Sequence, residues 1–314
     1  MAGMYAGPPL AIAITGASGL IGSELARRLR AAGHRVVPVV RRPARAGEVQ
    51  WDPALGRIDA AALDGIDAAV HLAGESIAAG RWTRARKAGI RESRVRGTSL
   101  LARTLGGLER KPKVLVSASA VGIYGDRGDE ILTEASPAGE GFLAETVVAW
   151  EAAALPARDA GIRLVHPRMA AVLSPRGGML ERLLLPFRLG LGGPIGGGAQ
   201  WMPVVALDDV VGAIEHLIMT PEIAGPVNVS LPAPITNAEF AKALGRAVGR
   251  PAVIPLPAFP LRAAYGQLAD ELLLASARVL PEALERSGYR FRHPTIGAAL
   301  AAALGHTRAT ASHG

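Results

Sequence analysis

The chain contains no cysteine, which excludes a disulfide scaffold, a thiolate metal site and a cysteine nucleophile together. Lysine is almost absent, occurring only at Lys87, Lys111, Lys113 and Lys242. No stretch of about 18 apolar residues runs without a charge, so no transmembrane helix and no membrane partner are expected. Residues Met1 to Pro9 lack the basic and apolar regions of a secretory signal, and a cytoplasmic location is the expectation. The seven histidines form no HExxH or other close metal-ligand pair, and there is no Gly-x-Ser-x-Gly elbow to seat a serine nucleophile. No metal is expected.

Against those gaps stands a chain of 314 residues, 49% hydrophobic and 20% charged. That is enough apolar surface for a full core, and it excludes a mainly disordered chain. At about 150 residues per domain, the length suggests two domains or one large domain with an appended part. The net charge of +8 is nearly all arginine, interleaved with acids and without a run of five like charges. This reads as solvated helix surface and not as a nucleic-acid footprint. A phosphate-rich small molecule needs only two or three such arginines.

Apolar runs at Leu10 to Thr15, Arg35 to Val40, Asp67 to Leu72, Lys113 to Ser117 and Ile162 to His166 alternate with helical patterns. Those patterns lie at Leu20 to Ala32, Trp82 to Leu108 and Phe142 to Ala160, with a further helix from Asp208 to Met219. Alternation of this kind predicts right-handed βαβ units and a doubly wound parallel sheet, an α/β Rossmann fold. Residues 10–170 would form the dinucleotide-binding domain, with later sheet contributions from about 200–230. Residues 171–305 would form a smaller α/β substrate or lid lobe. A glycine-rich loop at Gly190 to Gly198 and an extended or turning segment with four prolines, Pro251 to Pro260, belong to this lobe. Residues 1–8 and 307–314 are expected to be frayed ends. Asp208 and Asp209 are expected to cap the helix that they begin.

The first strand runs into Thr15-Gly16-Ala17-Ser18-Gly19-Leu20-Ile21-Gly22. Gly16 would allow the tight turn, Gly19 the approach of a pyrophosphate, and Gly22 close packing of the helix on the sheet. The helix N-terminus supplies free N–H groups to the phosphates. An enzyme specific for NAD usually carries an acid at the end of the second strand. Here Arg41 and Arg42 stand there, and a cation suits the 2′-phosphate of NADP(H).

Together with His71-Leu72-Ala73-Gly74, Ser117-Ala118-Ser119 and Asp208-Asp209, the glycine loop resembles that of the extended short-chain dehydrogenases/reductases. The match narrows through Arg81-Trp82, Ser93-Arg94, Trp150-Glu151, Phe187 to Gly196, Gln200 to Met202, Thr236 to Phe240 and Arg250-Pro251. These are similar to motifs of the NADP-binding "epimerase family" proteins that carry a C-terminal domain of unknown function. The resemblance spans residues 10 to 304. It implies that Leu72, Ala73 and Gly74 lie along the adenosine side of NADP(H), and that Arg94 reaches its phosphates. It further implies that Ser117 and Ser119 sit at the sheet's ligand edge and that Pro167, Arg168 and Met169 flank the nicotinamide.

One departure bears on the chemistry. Dehydrogenases of this type pair a serine with a tyrosine and a lysine four residues later, and the lysine lowers a phenol pKa that starts near ~10. Ser119 matches the serine, but Phe142 and Thr146 stand where the tyrosine and lysine belong, and no Tyr-x-x-x-Lys occurs anywhere. Three readings follow. The first is an NADP(H)-dependent oxidoreductase or epimerase-like protein acting on a small molecule, with Ser119 and Tyr124 as its candidate catalytic residues. The second is a catalytically silent NADP(H)-binding protein that senses or regulates. The third is a nucleotide-sugar epimerase, which would need the missing relay. Tyr124 is placed either at the mouth of the site or as a packed aromatic in a turn. A homodimer is compatible with the chain. The pocket between the lobes is expected to be lined by Ser119, Tyr124, Phe142, Met169 and Gln200 to Met202.

Overall fold

The structure, a computed structural model, describes residues 8–78 and 80–305. Apart from Pro8, the expected frayed ends lie outside the described residues. Among the described residues, no helix is long and apolar enough to cross a membrane.

The strands are β1 (Ala11–Thr15), β2 (Arg35–Val40), β3 (Val49–Asp52), β4 (Arg57–Ile58), β5 (Ala68–His71), β6 (Val114–Ser117), β7 (Ser119–Ala120), β8 (Ile131–Leu132), β9 (Arg163–Met169), β10 (Ala171–Leu173), β11 (Val204–Ala206), β12 (Gly225–Val229) and β13 (Arg278–Val279). The helices are α1 (Leu20–Ala31), α2 (Arg84–Gly106), α3 (Phe142–Ala152), α4 (Leu155–Asp159), α5 (Gly178–Arg188), α6 (Leu207–Met219), α7 (Asn237–Ala247), α8 (Ala258–Tyr265), α9 (Glu282–Arg286) and α10 (Ile296–Ala303).

The main sheet runs β12-β9-β6-β5-β1-β2-β3-β4, with β7 paired to β9. Every pairing in it is parallel except β3 with β4. The order reverses at β1, between β5 and β2, where ligands of open α/β sheets collect. Alternation along each strand splits the core in two. Ile12, Ile14, Val70, Val116, Val165 and Val227 face α1 and α6. Ala13, Val37, Val39, Ala69, Leu115 and Leu164 face α2 and α4. Burial on both faces explains the continuous apolar runs of the sequence. A third cluster packs Leu180 and Phe187 of α5, Phe240 and Leu244 of α7 and Leu300 of α10 around β10 and β11.

Three expectations change in detail. The helix expected over Phe142 to Ala160 breaks after Ala152, and α4 follows with Pro156 in its first turn. The proline segment is extended only to Pro257. Helix α8 then starts, and its first turn accommodates Pro260, because the lost amide there has no intrahelical partner in any case. Helix α6 takes no side-chain cap. The Asp209 carboxylate instead accepts the backbone N–H groups of Arg292 (2.6 Å) and His293 (3.0 Å), anchoring the C-terminal segment.

Candidate functional site

The glycine loop is shaped first by the protein itself. Gly16 has φ +69°, and a Cβ there would lie 2.9 Å from both the Ala73 amide nitrogen and the Leu72 carbonyl carbon. A Cβ at Gly22 would lie 2.1 Å from the Gly16 oxygen, so neither position admits a side chain. Gly19 is confined less, at 3.3 Å from that same oxygen. It stands just before α1, which has no side-chain cap and no acid in its first turn. The N–H groups and positive end of α1 are therefore left available to an anion. Ser18 and Gly19 are exposed, Ala17, Leu20 and Ile21 half-buried. The Thr15 hydroxyl oxygen accepts the Leu72 and Ala73 amides at 3.1 and 3.2 Å, tying this loop to the Leu72–Gly74 strand end.

At the end of β2 the two arginines divide. Arg42 makes a fork onto Glu48, at 2.7 and 2.5 Å. Those bonds, with the Arg45 N–H, pull the Glu48 carboxyl down to about 2. Arg41 is exposed and unpaired among the described residues. Glu48 was the residue missed in the sequence. It cancels Arg42 and leaves one unmatched guanidinium, that of Arg41, at the end of β2.

Arg94, on α2, is mostly buried. Its guanidinium lies 5.0 Å from the Trp150 ring and donates one hydrogen bond, 3.1 Å, to the Ile90 carbonyl. Burial pushes its pKa down to about 10, partly opposed by the Glu75 charge. Glu75 itself is paired with Arg86 at 2.8 Å. Arg94 thus has no carboxylate bound to it, and it sits beside Gly74. A buried cation without a bound counterion favours an incoming anion at this edge. The uncapped α1, Arg41 and Arg94 together fit a phosphorylated dinucleotide.

The expected catalytic residues are brought together, but inside the core. Ser119 Oγ donates to Glu151 Oε1 at 2.5 Å. Arg168 grips the same carboxylate at 2.9 and 3.0 Å, and its Nη1 donates to the Tyr124 hydroxyl at 3.1 Å. That hydroxyl lies 2.7 Å from Asn228 Oδ1 and 2.9 Å from the Thr133 carbonyl, two acceptors that share its single proton. Burial would raise the Glu151 carboxyl, but the Arg168 and Ser119 bonds outweigh it and hold it low. Burial also works against the Arg168 charge, and Glu151 outweighs that, so Arg168 is raised. Tyr124 is raised by burial.

These contacts settle where Tyr124 sits. Tyr124 is fully buried, so it is the packed aromatic and not a residue at the mouth of the site. The Arg168 guanidinium is committed to Glu151 and the Tyr124 hydroxyl. Pro167 is buried opposite Val227, and Met169 is half-buried against the core. Ser119, at 1% exposure, does not line an open pocket either.

Around Phe142, where a relay tyrosine would stand, the structure gathers groups that local motifs did not reveal. The Phe142 ring packs edge-on to Trp82, and the Lys87 ammonium lies 5.3 Å from its centre. Lys87 donates to Gln267 at 2.7 Å, and Gln267 donates to Glu271 at 2.6 Å. The Glu271 carboxylate accepts the Phe142 and Leu143 amides at 3.1 and 2.8 Å. One signal was legible. Helix α3 follows Gly141, which has no side chain to cap it, so an acceptor had to come from elsewhere. Thr146 Oγ1 and Ser117 Oγ are buried without a hydrogen-bond partner among the described residues. From the C-terminal lobe, Gln200 donates to the Ile195 and Leu273 carbonyls and Trp201 to Asp129.

Comparison with known proteins gives this geometry a context. Residues 12–230 match the model of the NAD dependent epimerase/dehydratase family, and residues 256–303 match a domain of unknown function, DUF1731. The epimerase family protein Mb2239 of Mycobacterium bovis is 47% identical over 290 residues, covering 92% of this chain and 96% of that protein. The crystal structure of human epimerase family protein SDR39U1 with NADPH is 37% identical with a TM-score of 0.85, covering 93% of this chain and 98% of that one. A Corynebacterium glutamicum structure described as a nucleoside-diphosphate sugar epimerase is 39% identical with a TM-score of 0.81, covering 96% of this chain and 60% of that one.

Proposed function

The chain belongs to the NAD dependent epimerase/dehydratase family, and from that premise we propose that it binds NADP(H) and acts as an oxidoreductase or epimerase-like enzyme on a small molecule, without a tyrosine–lysine relay. The observation that carries the cofactor reading is the uncapped, acid-free start of α1 with an unpaired Arg41 at the neighbouring strand end. NADPH in the related human structure supports the same choice.

Within this reading, the α1 amides and Arg94 hold the pyrophosphate, Thr15 fixes the loop against Leu72–Gly74, and Arg41 faces the 2′-phosphate. The dinucleotide, when bound, supplies or accepts a hydride. Residues 10–170, with 200–230, are assigned to this binding task, and 171–305 to a lobe that covers the substrate. No proton comes from Phe142, which has none to give, nor from the sealed Tyr124. The hydroxyl proton of Ser119 is committed to Glu151.

That commitment also favours a second reading, a dinucleotide-binding protein that reports redox state without turnover. A nucleotide-sugar epimerase fits less well, since Phe142 and Thr146 replace its relay. Calorimetric titration with NADPH and NADH tests the cofactor reading. The expected result is tighter binding of NADPH, reversed by Arg41→Asp. Equal or tighter binding of NADH would overturn it. NADPH oxidation against a panel of carbonyl compounds then separates enzyme from sensor.

A further inference from the structure

Two segments of the C-terminal lobe run side by side next to α8. The Ile254 N–H donates to the Gly192 carbonyl at 3.1 Å, the Leu256 N–H to Pro194 at 2.8 Å, and the Gly196 N–H to Leu256 at 2.9 Å. Gly193 has no room for a Cβ, which would lie 2.0 Å from the Ile254 oxygen. Pro255 and Pro257 hold the second segment extended without a full sheet. The result is a preset ridge, and its side chains point the wrong way for a core. Leu189, Leu191, Ile254 and Leu256 are exposed, Val253 is 74% exposed, and Phe259, in the first turn of α8, is 79% exposed. A contiguous apolar surface of this kind marks an interaction site.

The charge along these segments is one-sided. No Asp or Glu occurs from residue 182 to 207, nor from 240 to 269. Those stretches carry Arg182, Arg188, Lys242, Arg246 and Arg250, all exposed and none in an ion pair among the described residues. Arg262 is the exception, bound to Asp270 at 2.7 Å. Single protruding apolar side chains among unpaired cations, without an acid between them, match the interface of a bilayer with anionic headgroups. A protein partner would more often meet pockets and charges of both signs.

We propose that this ridge, Leu189–Leu191 with Val253–Phe259, docks the protein peripherally on an anionic lipid surface. The absence of a spanning helix among the described residues speaks only to crossing a bilayer, not to peripheral docking. The proposal does not depend on which dinucleotide is bound.

The test is co-sedimentation of the full chain with vesicles of phosphatidylcholine mixed with phosphatidylglycerol, and with vesicles of phosphatidylcholine alone. Binding is expected to the first and not the second, and it falls as salt rises. Val253→Asp with Phe259→Asp weakens it by about tenfold or more, and Lys242→Glu with Arg246→Glu does likewise. All four substitutions are at exposed positions, and an unchanged thermal midpoint checks that each variant is folded. No binding to the anionic vesicles, or variants that bind as the parent does, would overturn the proposal. A dimer in light scattering that Phe259→Asp dissolves, with no vesicle binding, would assign the ridge to a second copy and overturn it equally.

Discussion

Thr15 Oγ1 lies 2.7 Å from His71 Nδ1, across the two strands that bracket the glycine loop. The threonine oxygen already accepts the Leu72 and Ala73 amides, so its own proton goes to His71 Nδ1. The imidazole is therefore the neutral Nε2–H tautomer, with Nδ1 as acceptor. Burial pushes its pKa down to about 4. A proton on Nδ1 would remove the acceptor and force the Thr15 hydroxyl to turn.

The first prediction concerns pH. The His71 pKa is lower in the folded than in the unfolded chain, so its contribution to stability is complete above about 6.5 and is lost as pH falls towards about 4. Dinucleotide affinity belongs to the folded chain, so it should hold through most of that window and fall only as pH approaches the folded His71 value of about 4, where the loop loosens. An NMR titration of His71 that shows an ordinary midpoint near ~6.5 would refute this. Thr15→Val, which leaves the Ala73 amide without its acceptor and the Leu72 amide with only the Thr15 backbone oxygen, should weaken NADPH binding at neutral pH.

A second prediction follows from the Glu151–Arg168 pair. Arg168→Met strips a largely buried carboxylate of its partner and should cost about 3–5 kcal/mol in urea unfolding. The lowered Glu151 carboxyl supports the fold above about 4.5, and that support is lost as pH falls through its depressed value. Removing both members, with Glu151→Leu and Arg168→Met, should abolish this acid-range loss.

Tyr124→Phe separates structure from chemistry. The substitution leaves Arg168 Nη1 short of an acceptor and removes the one proton shared by Asn228 Oδ1 and the Thr133 carbonyl, and the expected cost is about 1–3 kcal/mol. Any NADPH-dependent turnover should survive unchanged below the new melting point. A selective loss of kcat with stability intact would restore Tyr124 as a reacting group.

Glu271→Ala tests the seam between the lobes. It uncaps α3, and loss of such a cap is worth about 0.5–2 kcal/mol. Hydrogen exchange at the Phe142 and Leu143 amides should accelerate, while the amides of β1 stay protected.

Which of these features could be read in the sequence depended on how local each one was. Periodicity located β1, β2, β5, β6 and β9, because strands buried on both faces are short apolar runs. The roles of Gly16 and Gly22 followed from a turn confined to a few residues. The Arg41 and Arg42 pair was visible, but the division of labour between them required Glu48, which folds back from the next strand. Ser119, Tyr124, Glu151, Arg168 and Asn228 span more than 100 residues, and only the fold shows that their polar atoms satisfy one another. The Glu271 cap was equally hidden, since a carboxylate 129 residues from Phe142 leaves no local pattern.

That carboxylate also limits how this chain can be divided. The family matches leave a gap between residues 230 and 256, an apparent place to cut. A cut there would strand α3 with a bare leading end and deprive Asn228 of the Leu280 carbonyl that its side chain holds. Each fragment would lack what the other donates, so the two halves are expected to be inherited, expressed and lost as one piece.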